Sequence, residues 1–230
     1  MLAFLLTANG AMAQINLNKI KQNVLSGTTA LSSDEVGAAL KEALINGASK
    51  GSDLASQVDG YFQNDAIKIL FPPEMQNVET RLRQLGMGAE VDKFVLSLNR
   101  AAEDAAKEAK PIFVSAIQQM TIQDAFSILK GEQDAATQYL QRTTSAQLTD
   151  KFSPIVRNSL SKVNATQHYA NLINTYNKIP LVKKADPDLE KYATQKAIDG
   201  LFVMVATEEK AIRENPQART SALLKKVFGQ

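Results

Sequence analysis

Apolar side chains recur every three or four residues along most of the chain, which is the spacing of one face of an α-helix. The clearest run is Val36, Leu40, Leu44 and Ala48. It follows Ser32-Ser33-Asp34-Glu35, in which the first and last residues have the spacing of a helix-capping box. No segment alternates apolar and polar residues in the manner of a strand. The pattern predicts an all-α fold, a single compact multi-helix bundle of about eight to ten helices without a sheet.

Proline, glycine and capping residues mark the ends of the predicted helices. Thr121 is expected to cap a short helix, with Asp124 three residues on, and Asp186-Pro187 is expected to open a long one. Pro111 and Pro154 either break or bend the helices in which they fall. The predicted helical stretches are 32–51, a short turn at 64–70, 73–85, 89–109, 112–120, 122–130, 135–140, 148–163, 169–176, 186–214 and 223–228.

The first residues have the features of a secretory signal. Leu2 to Leu6 are all apolar, and Ala11-Met12-Ala13 places small residues where a signal peptidase requires them. We therefore expect residues 1–13 to be a signal peptide cleaved after Ala13, and residues 14–230 to be one helical domain in the periplasm or outside the cell. No basic residue precedes Lys19, so we expect the natural start to lie upstream. The alternative is an irregular apolar first element.

Composition excludes several classes of function. The chain has 230 residues with a net charge of +2, and this near-balance argues against a nucleic-acid partner, which needs a concentrated basic face. There is no cysteine and only one histidine. Disulfides, Cys-ligated zinc, iron–sulfur clusters and thiol catalysis are thereby excluded, and we expect no cofactor or metal. The longest apolar run in the mature chain, Leu201 to Ala206, is far shorter than the roughly 20 residues of a membrane span.

Two patterns resemble catalytic or metal motifs but lack the required context. Gly47-Ala48-Ser49-Lys50-Gly51 matches the nucleophile elbow of serine hydrolases, which needs a preceding strand, whereas both flanks here are predicted helix. The only possible triad base, His168, is expected on a helix surface. Asp186, Asp188 and Glu190 could form an oxygen-rich cation site, but ordinary helix-start chemistry explains them.

Two polar clusters interrupt apolar helix faces and are the candidate site. They could be buried ion pairs that fix helix register, or a polar pocket between helices. Because a charge directed towards a core needs a partner of opposite sign, we expect the two clusters to meet in space and neutralise each other. The first cluster is Asn99, Arg100 and Glu103; the second is Glu208, Glu209, Arg213, Asn215 and Arg219.

Two functions remain open from these residues. The first is a non-enzymatic binding or interaction module of the cell envelope, whose partner is a small amphipathic ligand or an envelope protein. The second is a hydrolase or lyase in which Glu103 or Glu208 acts as a general base and Arg100 or Arg213 binds an anion. A cavity lined by both clusters would favour the enzyme, and a dry network of ion pairs would favour the binding module.

Several short runs resemble an uncharacterised bacterial family known as domain of unknown function 4197. The resemblance implies an exported helical bacterial protein without an assigned activity, and it supplies no catalytic residue. The matching runs lie between Met75 and Phe228: Leu85-Gly86-Met87-Gly88, Leu98-Asn99-Arg100-Ala101-Ala102-Glu103, Asp124-Ala125, Ile128-Leu129-Lys130-Gly131, Ala135-Ala136-Thr137-Gln138-Tyr139, Phe152-Ser153-Pro154, Gly200-Leu201-Phe202, Glu208-Glu209, Ile212-Arg213, Asn215-Pro216 and Leu223-Leu224-Lys225-Lys226-Val227-Phe228-Gly229.

Overall fold

The computed structural model describes residues 32–178, 184 and 188–214. This part of the chain contains eight α-helices and no strand, which confirms the predicted all-α class. The helices are α1 (Ser33–Ala55), α2 (Gln76–Gln84), α3 (Gly88–Ala106), α4 (Ala109–Gln118), α5 (Ile122–Lys130), α6 (Ala135–Ser161), α7 (Ala165–Tyr176) and α8 (Leu189–Glu214). A short 3-10 helix, Pro73–Met75, leads into α2.

Local signals in the sequence explain several helix ends. The hydroxyl of Thr121 accepts the Asp124 N–H, and the Asp124 carboxylate accepts the Thr121 N–H, so α5 begins with the predicted capping box. At the start of α8 the carboxylate of Asp188 accepts the Lys191 N–H. The predicted start at Asp186-Pro187 lies outside the described residues, as do the predicted signal segment 1–13 and the predicted helix 223–228.

Gly86 ends α2 in a left-handed conformation, with φ +82°. The Met87 N–H bonds to the Leu82 carbonyl and the Gly86 N–H bonds to the Arg83 carbonyl, which together form a Schellman motif. A non-glycine residue would be strained at this φ, so glycine suits the position. The motif brings Met87 back over Leu82, and both side chains line a pocket described below.

Two predicted elements differ from the structure, and each difference has a physical reason. The predicted turn at 64–70 is present but stops at Lys68, whose N–H bonds to the Asn64 carbonyl, and beyond it Asn99 binds both backbone groups of Ile69. The separately predicted helices 135–140 and 148–163 are one continuous helix, α6, which also includes Pro154. In the polar stretch between them, the hydroxyls of Thr143 and Thr144 bond to carbonyls one turn earlier, so these polar side chains are satisfied within the helix.

Helix α8 lies at the centre of the bundle. It packs against α1, α3 and α6, while α4 packs against α1 and α6. Where α1 crosses α8, a Cβ added at Gly51 would lie 3.2 Å from the backbone of Met204 and Val205. This close crossing is possible because residue 51 has no side chain. Ser49 lies inside α1, so its surroundings are helical, as its flanking sequence predicts.

The segment between α1 and the 3-10 helix is irregular but well buried. Tyr61 and Ile69 are 0% and 2% exposed, and both belong to the main hydrophobic core. The described residues from Ser33 onward form one compact unit. Within the described residues, no helix is both long enough and apolar enough to cross a bilayer.

Candidate functional site

Asn99 is fully buried and binds the irregular segment to α3. Its side-chain amide accepts the Ile69 N–H and donates to the Ile69 carbonyl, both at 2.8 Å, and it donates to the Val95 carbonyl at 2.8 Å. The amide therefore makes the two backbone hydrogen bonds to Ile69 that a neighbouring strand would make. This use of its hydrogen-bonding groups is structural.

Glu103 holds the same segment one turn further along α3. Its Oε1 accepts the N–H groups of Tyr61 and Phe62 at 3.1 and 3.2 Å, and its Oε2 pairs with Arg100 at 2.6 Å. Arg100 also reaches Asp59 at 2.7 Å, where the backbone is left-handed with φ +69°. The buried carboxylate is thus satisfied by two backbone donors and one guanidinium.

Glu209 on α8 caps the start of another helix. Its carboxylate accepts the N–H groups of Ala136 and Thr137 at 3.0 and 2.8 Å, together with the Thr137 hydroxyl at 2.8 Å. Asp134, which directly precedes α6, makes no side-chain capping bond. A carboxylate from α8 therefore supplies the acceptors that the first turn of α6 lacks, and its charge suits the positive end of that helix.

The remaining charges of the second cluster are paired nearby. Arg213 bonds to Glu209 at 2.8 Å and to the Ile128 carbonyl at 3.0 Å, which joins α8 to α5. Glu208 pairs with Lys50 on α1 at 2.8 Å, and the lysine side chain is 64% exposed. Asn215 and Arg219 lie outside the described residues.

These partners correct the expectation that the two clusters neutralise each other. Glu103 is paired with Arg100 inside the first cluster, whereas Glu208 and Glu209 are paired with Lys50 and Arg213. The physical reason is that irregular backbone lies beside Glu103 and the uncapped start of α6 lies beside Glu209, and their N–H groups supply the donors that these carboxylates need. The first cluster therefore connects α3 to the irregular segment, and the second connects α8 to α1, α5 and α6.

A small cavity borders the second cluster and contains no residue of the first among its walls. A space of about 10 Å³ lies beside Glu209 and Arg213, with Leu40, Ala43, Leu44 and Ile212 as its other walls. That volume holds about one water molecule. Among the residues described, no group of three or more His, Asp or Glu side chains is arranged to hold a metal ion.

A larger cavity, here called the apolar pocket, was not predicted from the sequence. It has a volume of about 130 Å³ and lies between α2, α3 and α7. Its apolar walls are Phe71, Leu82, Met87, Val91, Phe94 and Tyr169, and Glu90 and His168 also line it. The Leu82-to-Met87 spacing around Gly86 was a usable signal, because a Schellman motif pairs these two positions. Phe71 and Tyr169 come from distant parts of the chain, and no local sequence signal marked them as pocket residues.

The aromatic side of the apolar pocket is a packed group of three rings. The centroids of Phe71 and Phe94 are 4.7 Å apart, and the rings of Phe94 and Tyr169 are nearly parallel at 6.1 Å. His168, the single histidine, is exposed at this pocket, which agrees with its predicted place on a helix surface. Met87 is 43% exposed, so the pocket opens to solvent on this side.

Two tyrosines outside the pocket fix the irregular segment to α8. The Tyr61 hydroxyl donates to the Ala197 carbonyl, and the Tyr192 hydroxyl donates to the Leu70 carbonyl at 3.0 Å. Burial, assisted by the charges of Glu103 and Asp199, raises the pKa of Tyr61 far above its usual value. Burial raises the pKa of Tyr192 to about 12.

Comparison with known proteins gives one match. The model of a family described as protein of unknown function (DUF4197) matches residues 30–229. No curated protein and no solved structure matches the chain.

Proposed function

Since the chain belongs to the DUF4197 family, whose function is unknown, we propose from its own residues that it is an exported, non-enzymatic binding module of the cell envelope. Its ligand is a small amphipathic molecule. The observation that carries this proposal is the contrast between the two kinds of candidate site. The polar clusters are occupied by structural bonds, while the apolar pocket is open and lined by side chains suited to a ligand.

The occupied carboxylates support binding over catalysis. A general base must be within hydrogen-bond reach of a proton on the substrate. Glu103 instead accepts two backbone N–H groups and pairs with Arg100, and Glu208, the other candidate base, pairs with Lys50 at 2.8 Å. The space beside the second cluster, about 10 Å³, holds about one water and no substrate.

The apolar pocket has the composition of a ligand site. Small-molecule sites are mostly apolar with a few polar groups that orient the ligand. Six of the lining side chains here are apolar or aromatic, and Glu90 and His168 supply the polar groups. An amphipathic ligand matches this division, with its apolar part inside and its polar part at the rim.

Export is supported by the first residues of the chain. The apolar run Leu2 to Leu6 and the small residues of Ala11-Met12-Ala13 have the order of a signal peptide and its cleavage site. The family match begins at residue 30, after this segment. Cleavage after Ala13 would leave the whole matched region in the periplasm or outside the cell.

One experiment tests both parts of the proposal. The protein is produced from its natural gene in a bacterial host, isolated from the periplasmic fraction, and analysed by native and denaturing mass spectrometry. We expect an intact mass that begins at Gln14 and an added mass, present only under native conditions, from a small organic molecule. An uncleaved chain in the cytoplasm would overturn export. A substrate consumed by the purified protein, with loss of turnover in Glu103→Gln, would overturn the non-enzymatic role.

A further inference from the structure

We propose that the apolar pocket binds a small organic cation, an ammonium group carried on one ring or a short alkyl chain. This inference rests on the binding role proposed above and names the chemical class of its ligand.

The size of the pocket limits the apolar part of the ligand. The cavity volume is about 130 Å³. An engineered apolar cavity of about 150 Å³ stays dry and binds benzene, so this pocket holds one six-membered ring or an alkyl segment of similar volume. Met87 at the open side has a flexible thioether chain that can adapt to either shape.

The charge at the rim favours a cation. Glu90 is exposed and lines the pocket, and the other described lining residues include no guanidinium or ammonium group; the imidazole of His168 is the one basic side chain among them. Arg83 lies close to the start of α3, but its guanidinium bonds to Glu79 at 3.0 Å and to Asp92 at 2.9 Å. A ligand ammonium beside Glu90 therefore gains an opposite charge, whereas a ligand carboxylate would meet a like charge.

The aromatic walls add to the same preference. The faces of aromatic rings attract cations within about 6 Å of their centroids. Phe71, Phe94 and Tyr169 form one contiguous aromatic surface on the pocket. An anion of the same shape receives no such attraction. Carboxylate and rings together make the pocket selective for charge as well as for size.

Three probes of matched shape test this selectivity: 2-phenylethylamine, 2-phenylethanol and phenylacetate. The purified protein is labelled with [¹³C-methyl]methionine, which gives few signals because the sequence has six methionines. Met87→Leu identifies the Met87 signal, and each probe is titrated at neutral pH. We expect the amine to shift this signal with a dissociation constant of about 1 mM, appropriate for so small a ligand. The alcohol binds about two- to fivefold more weakly, and phenylacetate binds most weakly.

Single-residue variants show which side chains determine the affinity for each probe. Glu90→Gln should bring the affinity for the amine closer to that for the alcohol, because only the attraction of the aromatic rings for the ammonium group remains, and it should leave the affinity for the alcohol unchanged. Glu108→Gln, at another exposed acid just before α4, should change neither. Leu82→Phe fills the pocket and should weaken all probes severalfold, whereas Leu85→Phe, at a position 76% exposed and outside the lining, should not. Circular dichroism confirms that each variant is folded.

Equal binding of the amine and phenylacetate would overturn the cation preference. The absence of any Met87 shift at 20-fold excess over the expected dissociation constant, about 20 mM, would overturn the pocket as the site. Either result leaves the mass spectrometry above to decide the binding role, because a co-purified ligand of another class or at another surface would still appear there.

Discussion

At the scale of single residues, the buried polar side chains of α3 serve the backbone of the irregular segment before α2. Backbone groups outside helices and sheets still need partners when they are buried. Asn99 supplies partners for Ile69, and Glu103 supplies them for Tyr61 and Phe62. The polar interruption of an apolar helix face is therefore explained by the shape of a neighbouring segment.

The change Asn99→Asp isolates this role with almost no change in volume. A carboxylate at this position still accepts the Ile69 N–H, but it meets the carbonyl oxygens of Ile69 and Val95 without a proton to donate. We expect a loss of about 2–4 kcal/mol in the free energy of unfolding, measured by urea titration at pH 7.5. Asn158→Asp, an exposed position on α6, is the control and should change stability by less than about 0.5 kcal/mol. Equal effects at the two positions would contradict the structural role of Asn99.

At the scale of helices, Glu209 shows that a capping residue need not be local. The N-terminal N–H groups of a helix lack intrahelical partners, and they are usually satisfied by the residue just before the helix. Here Asp134 makes no such bond, and a carboxylate from α8 takes the N–H groups of Ala136 and Thr137. The start of α6 therefore depends on tertiary contact with α8.

The adjacent residues Glu208 and Glu209 provide a matched pair of variants. Glu209→Gln replaces one accepting oxygen with an amide that faces N–H donors, and it removes the charge partner of Arg213. We expect a loss of about 2–4 kcal/mol. Glu208→Gln removes only a pair with the exposed Lys50 and should cost less than about 1 kcal/mol. Urea unfolding measures both, and similar losses would show that the cap across helices carries little stability.

The sequence predictions were accurate where an element depends on nearby residues and less accurate where it depends on residues far away along the chain. The α5 capping box and the end of α2 at Gly86 depend on residues within one turn, and both were predicted. The predicted turn at 64–70 stops at Lys68, because Asn99, 30 residues away, binds the backbone of Ile69. The polar clusters were found because they interrupt a periodic face, and the pairs Arg100–Glu103 and Glu209–Arg213 follow from their spacing. Their backbone partners were not predicted, since nothing local marks Tyr61 or Ala136 as a donor.

At the scale of the whole molecule, Tyr61 connects the irregular segment, α3 and α8. Its ring is fully buried, its N–H bonds to Glu103, and its hydroxyl bonds to the Ala197 carbonyl. Tyr192 makes a second link from α8 to this segment, at Leu70. The fold therefore depends on phenol groups that must stay protonated in order to donate.

These phenols predict a specific alkaline instability. Burial raises the pKa of Tyr61 far above the value of about 10 for an unfolded chain, and it raises the pKa of Tyr192 to about 12. Their contribution is fully present below about pH 10 and is lost above it, because the unfolded state then releases protons that the folded state retains. Each such group lowers stability by up to about 1.4 kcal/mol per pH unit.

The variant Tyr61→Phe tests this, because it should change both the free energy of unfolding at pH 8 and the steepness with which that free energy falls as the pH rises. The variant should be less stable than the parent at pH 8, because the Ala197 carbonyl loses its donor. Between about pH 10 and pH 11.5 it should lose stability more slowly, so the two curves converge. Tyr139→Phe is the control, because the ring of Tyr139 on α6 is only half-buried and its pKa is raised less than that of Tyr61. The titration of lysines affects the parent and both variants alike. Urea unfolding at half-unit steps measures the curves. If the curves of the parent and Tyr61→Phe ran parallel to pH 11.5, the phenol of Tyr61 would ionise in the folded protein as readily as in the unfolded chain, which would contradict the raised pKa.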